Sequence, residues 1–160
     1  MTKTKQTLIA WLRDAHAMER ASVDSLDRMA DRLARFPDLA AGLREHWRVS
    51  LTQAQQIEIC LKQRFGTDTS TLKNLAGRFI GIAQAFAVEV APDEVVKDCC
   101  AAYSWRHFEI ACYLSLGAAA AALEELEVAR MCAEHVQQER TMATWLEQQI
   151  PEVTQVFLRP

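Results

Sequence analysis

Apolar residues recur at alternating steps of three and four along nearly the whole chain, and this rhythm, broken at only a few places, commits it to long helices packed side by side. The first run begins near Thr4 and reaches Arg35, stopping at Phe36-Pro37-Asp38, where proline can open a helix but not sit inside one. The second ends at Phe65, before Gly66 and the cap-forming cluster Thr67-Asp68-Thr69-Ser70-Thr71. A shorter third run, Leu72 to about Ala87, carries Leu75, Phe79, Ile82 and Phe86 at helical spacing, and Pro92 opens the next. From there to Gln149 no strong breaker intervenes, yet one helix of that length would be roughly 87 Å at 1.5 Å per residue, out of proportion for a compact domain. We place the interruption between Gly117 and Glu124, where an alanine run gives way to Glu124-Glu125, acids suited to a helix N-terminus. Pro151 then closes the last helix. The expectation is one all-α domain over 1–160, with helices at about 4–35, 38–65, 71–87, 92–117 and 124–150 and a tail at 151–160. Five glycines and four prolines leave little material for the turns of an all-β fold.

The seams of these helices are interrupted by polar residues near their middles. On the first, Leu8, Leu12 and Ala15 lead to Glu19 and Ser22 before Leu26 and Met29 resume the stripe. On the fourth, Arg106 and Glu109 follow Cys99 and Ala102, and on the fifth Glu139 lies between Val136 and Ala143. The second carries His46, Ser50 and Gln53 between Leu43 and Ile57, without an acid. A buried carboxylate is costly unless paired, hydrogen-bonded or coordinated, so three converging in one core require a cation. Four-helix carboxylate proteins supply it as two metal ions held by glutamates and Glu-x-x-His pairs. Glu19, Gln53, Glu109 and Glu139, with His46, are therefore the candidate metal-ligating residues. Single seam glutamates can also lie at the edge of a core and face water, and three together argue against that. His135 and Glu139 have the spacing to share an ion, but four-residue polar pairs are common on exposed helix faces, which is the reading favoured for them. His16 and His107 have no partner that the sequence identifies.

Composition excludes several functions. A formal net charge of -3 leaves no basic footprint, which disfavours nucleic acid as a partner. Lys3 and Lys5 are followed at once by Arg13, Asp14 and His16, so no secretory core can be drawn, and no uncharged apolar stretch of roughly 18 residues exists to cross a bilayer. The expected location is cytoplasmic, with no membrane partner. Five cysteines without CxxC spacing resemble neither a disulfide framework nor a zinc site.

Several segments together resemble the YciE/YciF-type ferritin-like proteins, a bacterial group of unknown function associated with stress responses. They are Trp11 to Glu19 (WLRDAHAME), His46 with Gln53 downstream, Phe108 to Tyr113 (FEIACY), and Gln138-Glu139 with Trp145-Leu146. The resemblance implies a ferritin-like up-down four-helix bundle with a short additional helix between the second and third long helices, a di-metal carboxylate centre and a homodimer. Glu19, Glu109 and Glu139 match family carboxylates, and Gln53 matches a polar position. Departures from the family pattern run in one direction. Val49-Ser50 stands where the family shows Glu-Thr, Arg106 where it has a glutamate, and Arg140 with Ala143-Thr144 where a second acid and an aspartate are usual. Acids are lost and guanidinium groups gained. The expectation is that Arg106 pairs with Glu19, Glu109 or Glu139 in place of a metal, and that the protein is metal-free or weakly metal-binding and not an enzyme. The alternatives are a working di-iron oxidoreductase or ferroxidase, with iron as cofactor, and a single-metal site using a subset of the same residues.

Overall fold

The computed structural model of the chain describes residues 2–33, 35–69 and 93–159. Among these residues the structure is all α: α1 (Lys3–Arg32), α2 (Pro37–Phe65), α3 (Glu94–Ala122) and α4 (Leu126–Phe157), with no strand. The expected helix at 71–87 and the start at Pro92 lie outside the described residues. Thr2 caps α1, its hydroxyl accepting from the Lys5 backbone N–H at 3.3 Å, and Pro37 opens α2 where its missing N–H costs nothing. Gly66 ends α2 in the left-handed region, at φ 59°.

Helices α1 and α2 form one antiparallel hairpin and α3 and α4 another; α1 lies beside α3, and α2 beside α4. Ion pairs fix the directions. Lys5 and Arg64 both reach Glu125, at 3.1 and 2.8 Å, whereas Arg32 at the far end of α1 grips Asp98 near the start of α3 at 2.7 Å. The helices therefore run up, down, down, up, the order of a ferritin-like bundle with one long crossover. Helix α2 approaches α4 closely at Gly42, where a Cβ would collide with the edge of the Trp145 indole. No described helix is long and apolar enough to cross a membrane.

Two apolar clusters fill the interior. One gathers Leu8, Leu12, Met18, Ile57, Leu61, Tyr113, Leu116 and Val136; the other gathers Leu26, Leu33, Leu39, Leu43, Cys99, Met142 and Leu146. On each helix the polar seam residues fall between them, so the bundle is layered apolar, polar, apolar along its axis. Burial of each large aliphatic side chain contributes on the order of 1.5–3 kcal/mol, and that holds the polar layer in place.

Two boundaries differ from expectation. The alanine run does not break the helix: α3 continues through it to Ala122, and the turn falls at Leu123-Glu124-Glu125. Alanine is the best helix former, so the run favours continuation. The chain reverses through a Schellman motif, Glu125 N–H donating to Ala120 C=O at 2.9 Å and Glu124 N–H to Ala121 C=O at 3.1 Å, with Glu124 at φ 58° where glycine is usual. Nor does Pro151 end the last helix, which runs on to Phe157. Proline in a helix interior costs about 3 kcal/mol. Val153, two residues beyond, is buried in the second apolar cluster and offsets part of that cost, while Thr154 Oγ1 donates to Ile150 C=O at 2.7 Å. Because Glu124 is exposed and its left-handed backbone disfavours a side chain, Glu124→Gly is expected to stabilise the protein by about 0.5–1 kcal/mol. A urea midpoint lower than that of the unaltered chain would contradict this account of the turn.

Candidate functional site, a buried polar layer

The helical seams bring Glu19, Gln53, Glu109, Glu139, His46 and Arg106 into the interior, each at most 5 % exposed. At the centre is the guanidinium of Arg106, the bulkiest of the fully buried side chains. Its Nη1 lies 2.8 Å from Glu109 Oε2 and 3.0 Å from Glu139 Oε2, and its Nη2 donates to Ser22 Oγ at 2.6 Å. Ser22 in turn lies 3.3 Å from Ser50 Oγ, joining α1 to α2. Around Arg106, His46 Nε2 donates to Glu139 Oε2 at 2.9 Å and Gln53 Nε2 donates to Glu139 Oε1 and to Gln138 Oε1, both at 2.9 Å. Trp105 Nε1 donates to Glu109 Oε1 at 2.8 Å. Glu19 stands apart from Arg106's direct partners: Tyr113 Oη donates to its Oε1 at 2.6 Å, and its Oε2 has no partner at hydrogen-bond geometry among the described residues.

Environment gives the three acids different charge states. Burial alone would push Glu139 up, but Arg106 beside it, with the hydrogen bonds from His46 and Gln53, holds its carboxyl well below the usual range. Glu109 is pushed well above that range by burial. Arg106 opposes the shift, while the Glu139 and Glu19 charges and a hydrogen bond shared with Glu139 add to it. Glu19 is pushed up to about 8 by burial and the Glu139 charge, which outweigh the hydrogen bond from Tyr113. Burial, then Arg106, lowers His46 and keeps its ring neutral. Arg106 and Glu139 are therefore the principal cation and anion of the layer, and burial disfavours the charged forms of Glu19 and Glu109.

Among the described residues, His46, Glu109 and Glu139 form a group of three potential metal ligands, their ligand atoms within 4.8 Å of one another. Glu19 lies outside that triad, and Gln53 adjoins it through Glu139 Oε1. His135 is not on an exposed face: it is fully buried, packs edge-on against the Tyr113 ring at 4.8 Å between centroids, and donates from Nε2 to Gln56 Oε1 at 2.7 Å. Burial lowers its pKa to about 4. The parts taken by Tyr113, Ser22, Trp105 and Gln138 were not anticipated. Tyr113 and Ser22 occupy seam positions, the one signal that could have found them, whereas nothing in the sequence singles out Trp105 or Gln138 as partners.

The family described as "Domain of unknown function (DUF892)" matches residues 3–159. A solved protein (XCC3681) from Xanthomonas campestris pv. campestris superposes with a TM-score of 0.81 at 28% identity, over 98% of this chain and 97% of that one. The E. coli stress protein YciF superposes with a TM-score of 0.74 at 18% identity, covering 97% and 99% of the two chains. YcfI from Rhodopseudomonas palustris does so at 0.69 and 21%, covering 92% and 94%.

The raised pKa of Glu19 has a definite sign for stability. Between its ordinary value of 4.5 and about 8 the unfolded chain loses this proton while the folded chain keeps it, so Glu19 weakens the fold progressively as pH rises through that window. Below it there is no penalty. Glu19→Gln, which retains an acceptor for Tyr113 without the ionisable proton, is expected to raise the melting temperature at pH 8 and to leave it nearly unchanged at pH 4. A difference that does not grow with pH would show that Glu19 is ionised inside the fold.

Proposed function

The chain belongs to the DUF892 family, of YciE/YciF type, and from that premise we propose that it is a stress-associated structural or interaction protein whose core carboxylates are balanced by Arg106 rather than by iron. The observation that carries this reading is the position of Arg106 Nη1, within 3.0 Å of Oε2 on both Glu109 and Glu139. First-row divalent ions sit roughly 2.0–2.2 Å from carboxylate oxygens, so an ion bridging these two atoms and the guanidinium compete for one space.

A two-iron centre does not fit the residues present. Such centres draw on a glutamate from each of two helices and a Glu-x-x-His pair from each of the others. Here α2 offers His46 and Gln53 but no acid on its seam, α3 places Arg106 three residues before Glu109, and His135 on α4 is engaged with Gln56. Two dications beside a fixed guanidinium would also face one carboxylate that is readily ionised and two whose charged forms burial disfavours.

An interaction role has its own support in α3. From residue 100 to 122 no exposed position of this helix carries Lys, Arg, Asp or Glu, and Leu114 is 51% exposed. Depletion of charge is the compositional mark of an interface core. The partner proposed is a second copy of the chain, and the place of action the cytoplasm. Leu114→Glu is expected to convert a dimer to a monomer by light scattering, with the helical content unchanged; an unaltered dimer would exclude this face.

For the metal question, tag-free protein is expected to hold far less than one iron per chain, before and after anaerobic loading with ferrous ion, and to consume no oxygen. About two irons per chain with oxygen uptake would overturn the reading in favour of a di-iron oxidoreductase or ferroxidase.

A further inference from the structure

The misfit between this core and a two-iron centre has a specific form. Each carboxylate beside Arg106 has one oxygen tied to a neutral donor and the other turned toward the guanidinium. Gln53 Nε2 holds Glu139 Oε1 and Trp105 Nε1 holds Glu109 Oε1, leaving the two Oε2 atoms 3.0 and 2.8 Å from Nη1. His46 Nε2, bonded to Glu139 Oε2 at 2.9 Å, completes a triad of ligand atoms lying within 4.8 Å of one another. Outer donors that orient inner oxygens in this way are what a metal site requires of its surroundings. One imidazole and two carboxylates, with the fourth position open, are a donor set suited to a single borderline dication.

We infer that His46, Glu109 and Glu139 form a latent mononuclear site for a divalent ion of the zinc or cobalt(II) class, and that Arg106, its Nη1 standing in the ion's place, is the residue that closes it. The inference rests on the metal-free reading above. It also differs from a two-metal arrangement, because Glu19 is turned to Tyr113 and lies outside the triad. Charge explains the exclusion: a dication added beside the guanidinium would bring three positive charges against the two carboxylates of the triad, whereas the same ion without it displaces any proton on Glu109 to solvent and is neutralised by Glu109 and Glu139 alone.

The test is cobalt(II) titration of the full chain, followed by its visible ligand-field absorption and by equilibrium dialysis. Arg106→Ala is expected to bind about one Co2+ per chain, with the intense bands of a low-coordinate site and a melting temperature that rises with cobalt. The unaltered chain, and Arg106→Ala carrying His46→Ala as well, are expected to bind none. Should the alanine variant fail to fold, Arg106→Gln, which removes the charge and keeps more of the volume, is read in its place with the same expectation. A folded variant that takes up no cobalt would overturn the inference and leave the metal-free reading standing. Cobalt bound by the unaltered chain would instead overturn the metal-free reading and Arg106's role as the closing residue. Two ions per variant chain would refute the mononuclear assignment.

Discussion

A guanidinium buried among carboxylates governs this bundle. Removing Arg106 and Glu139 from water is expensive, and their attraction repays it only if the remaining donors and acceptors are also met. That requirement reaches all four helices: Ser22 on α1, His46 and Gln53 on α2, Glu109 on α3 and Glu139 on α4 are engaged directly or through one neighbour. The apolar clusters on either side supply the driving force for folding but tolerate sliding of one helix along another. The polar layer does not, since a shift of one turn would strand a buried charge.

The layer also shows how one environment assigns different states to the same functional group. Glu139 is ionised because a cation and hydrogen bonds from His46 and Gln53 converge on it. Glu109 faces the same cation, but burial, with the charges of Glu139 and Glu19, pushes its carboxyl well above the usual range. Glu19 has Tyr113 as its hydrogen-bond donor and is held neutral by burial. Arg106 is thus balanced chiefly by Glu139.

Most of this architecture was legible in periodicity. The seams of α1 to α4 placed Glu19, Arg106, Glu109 and Glu139 on inward faces, and the same stripe on α2 marked His46 and Gln53. The boundaries near 120 and 150 follow packing rather than local punctuation. Glu124 adopts a left-handed backbone that no glycine announces, and the helix passes Pro151 because Val153 finds a buried place beyond it. His135 was misread for a related reason: four-residue spacing to Glu139 is the same on a wet face and on a dry one, and only the neighbouring helix, through Gln56, distinguishes them.

The division of the polar layer between the two hairpins has a consequence for assembly. Arg106, Glu109 and Glu139 all belong to α3 and α4, so this half carries its cation and its principal anion together before it meets the other. The half made by α1 and α2 offers hydroxyls, an amide, an imidazole and Glu19, an acid that takes up a proton as the layer closes over it. The two halves therefore meet as a polar plug and its neutral socket. The first half brings its cation already balanced, the second sheds the charge of Glu19 by protonation as it is buried, and the fit of plug to socket sets the depth at which they stop.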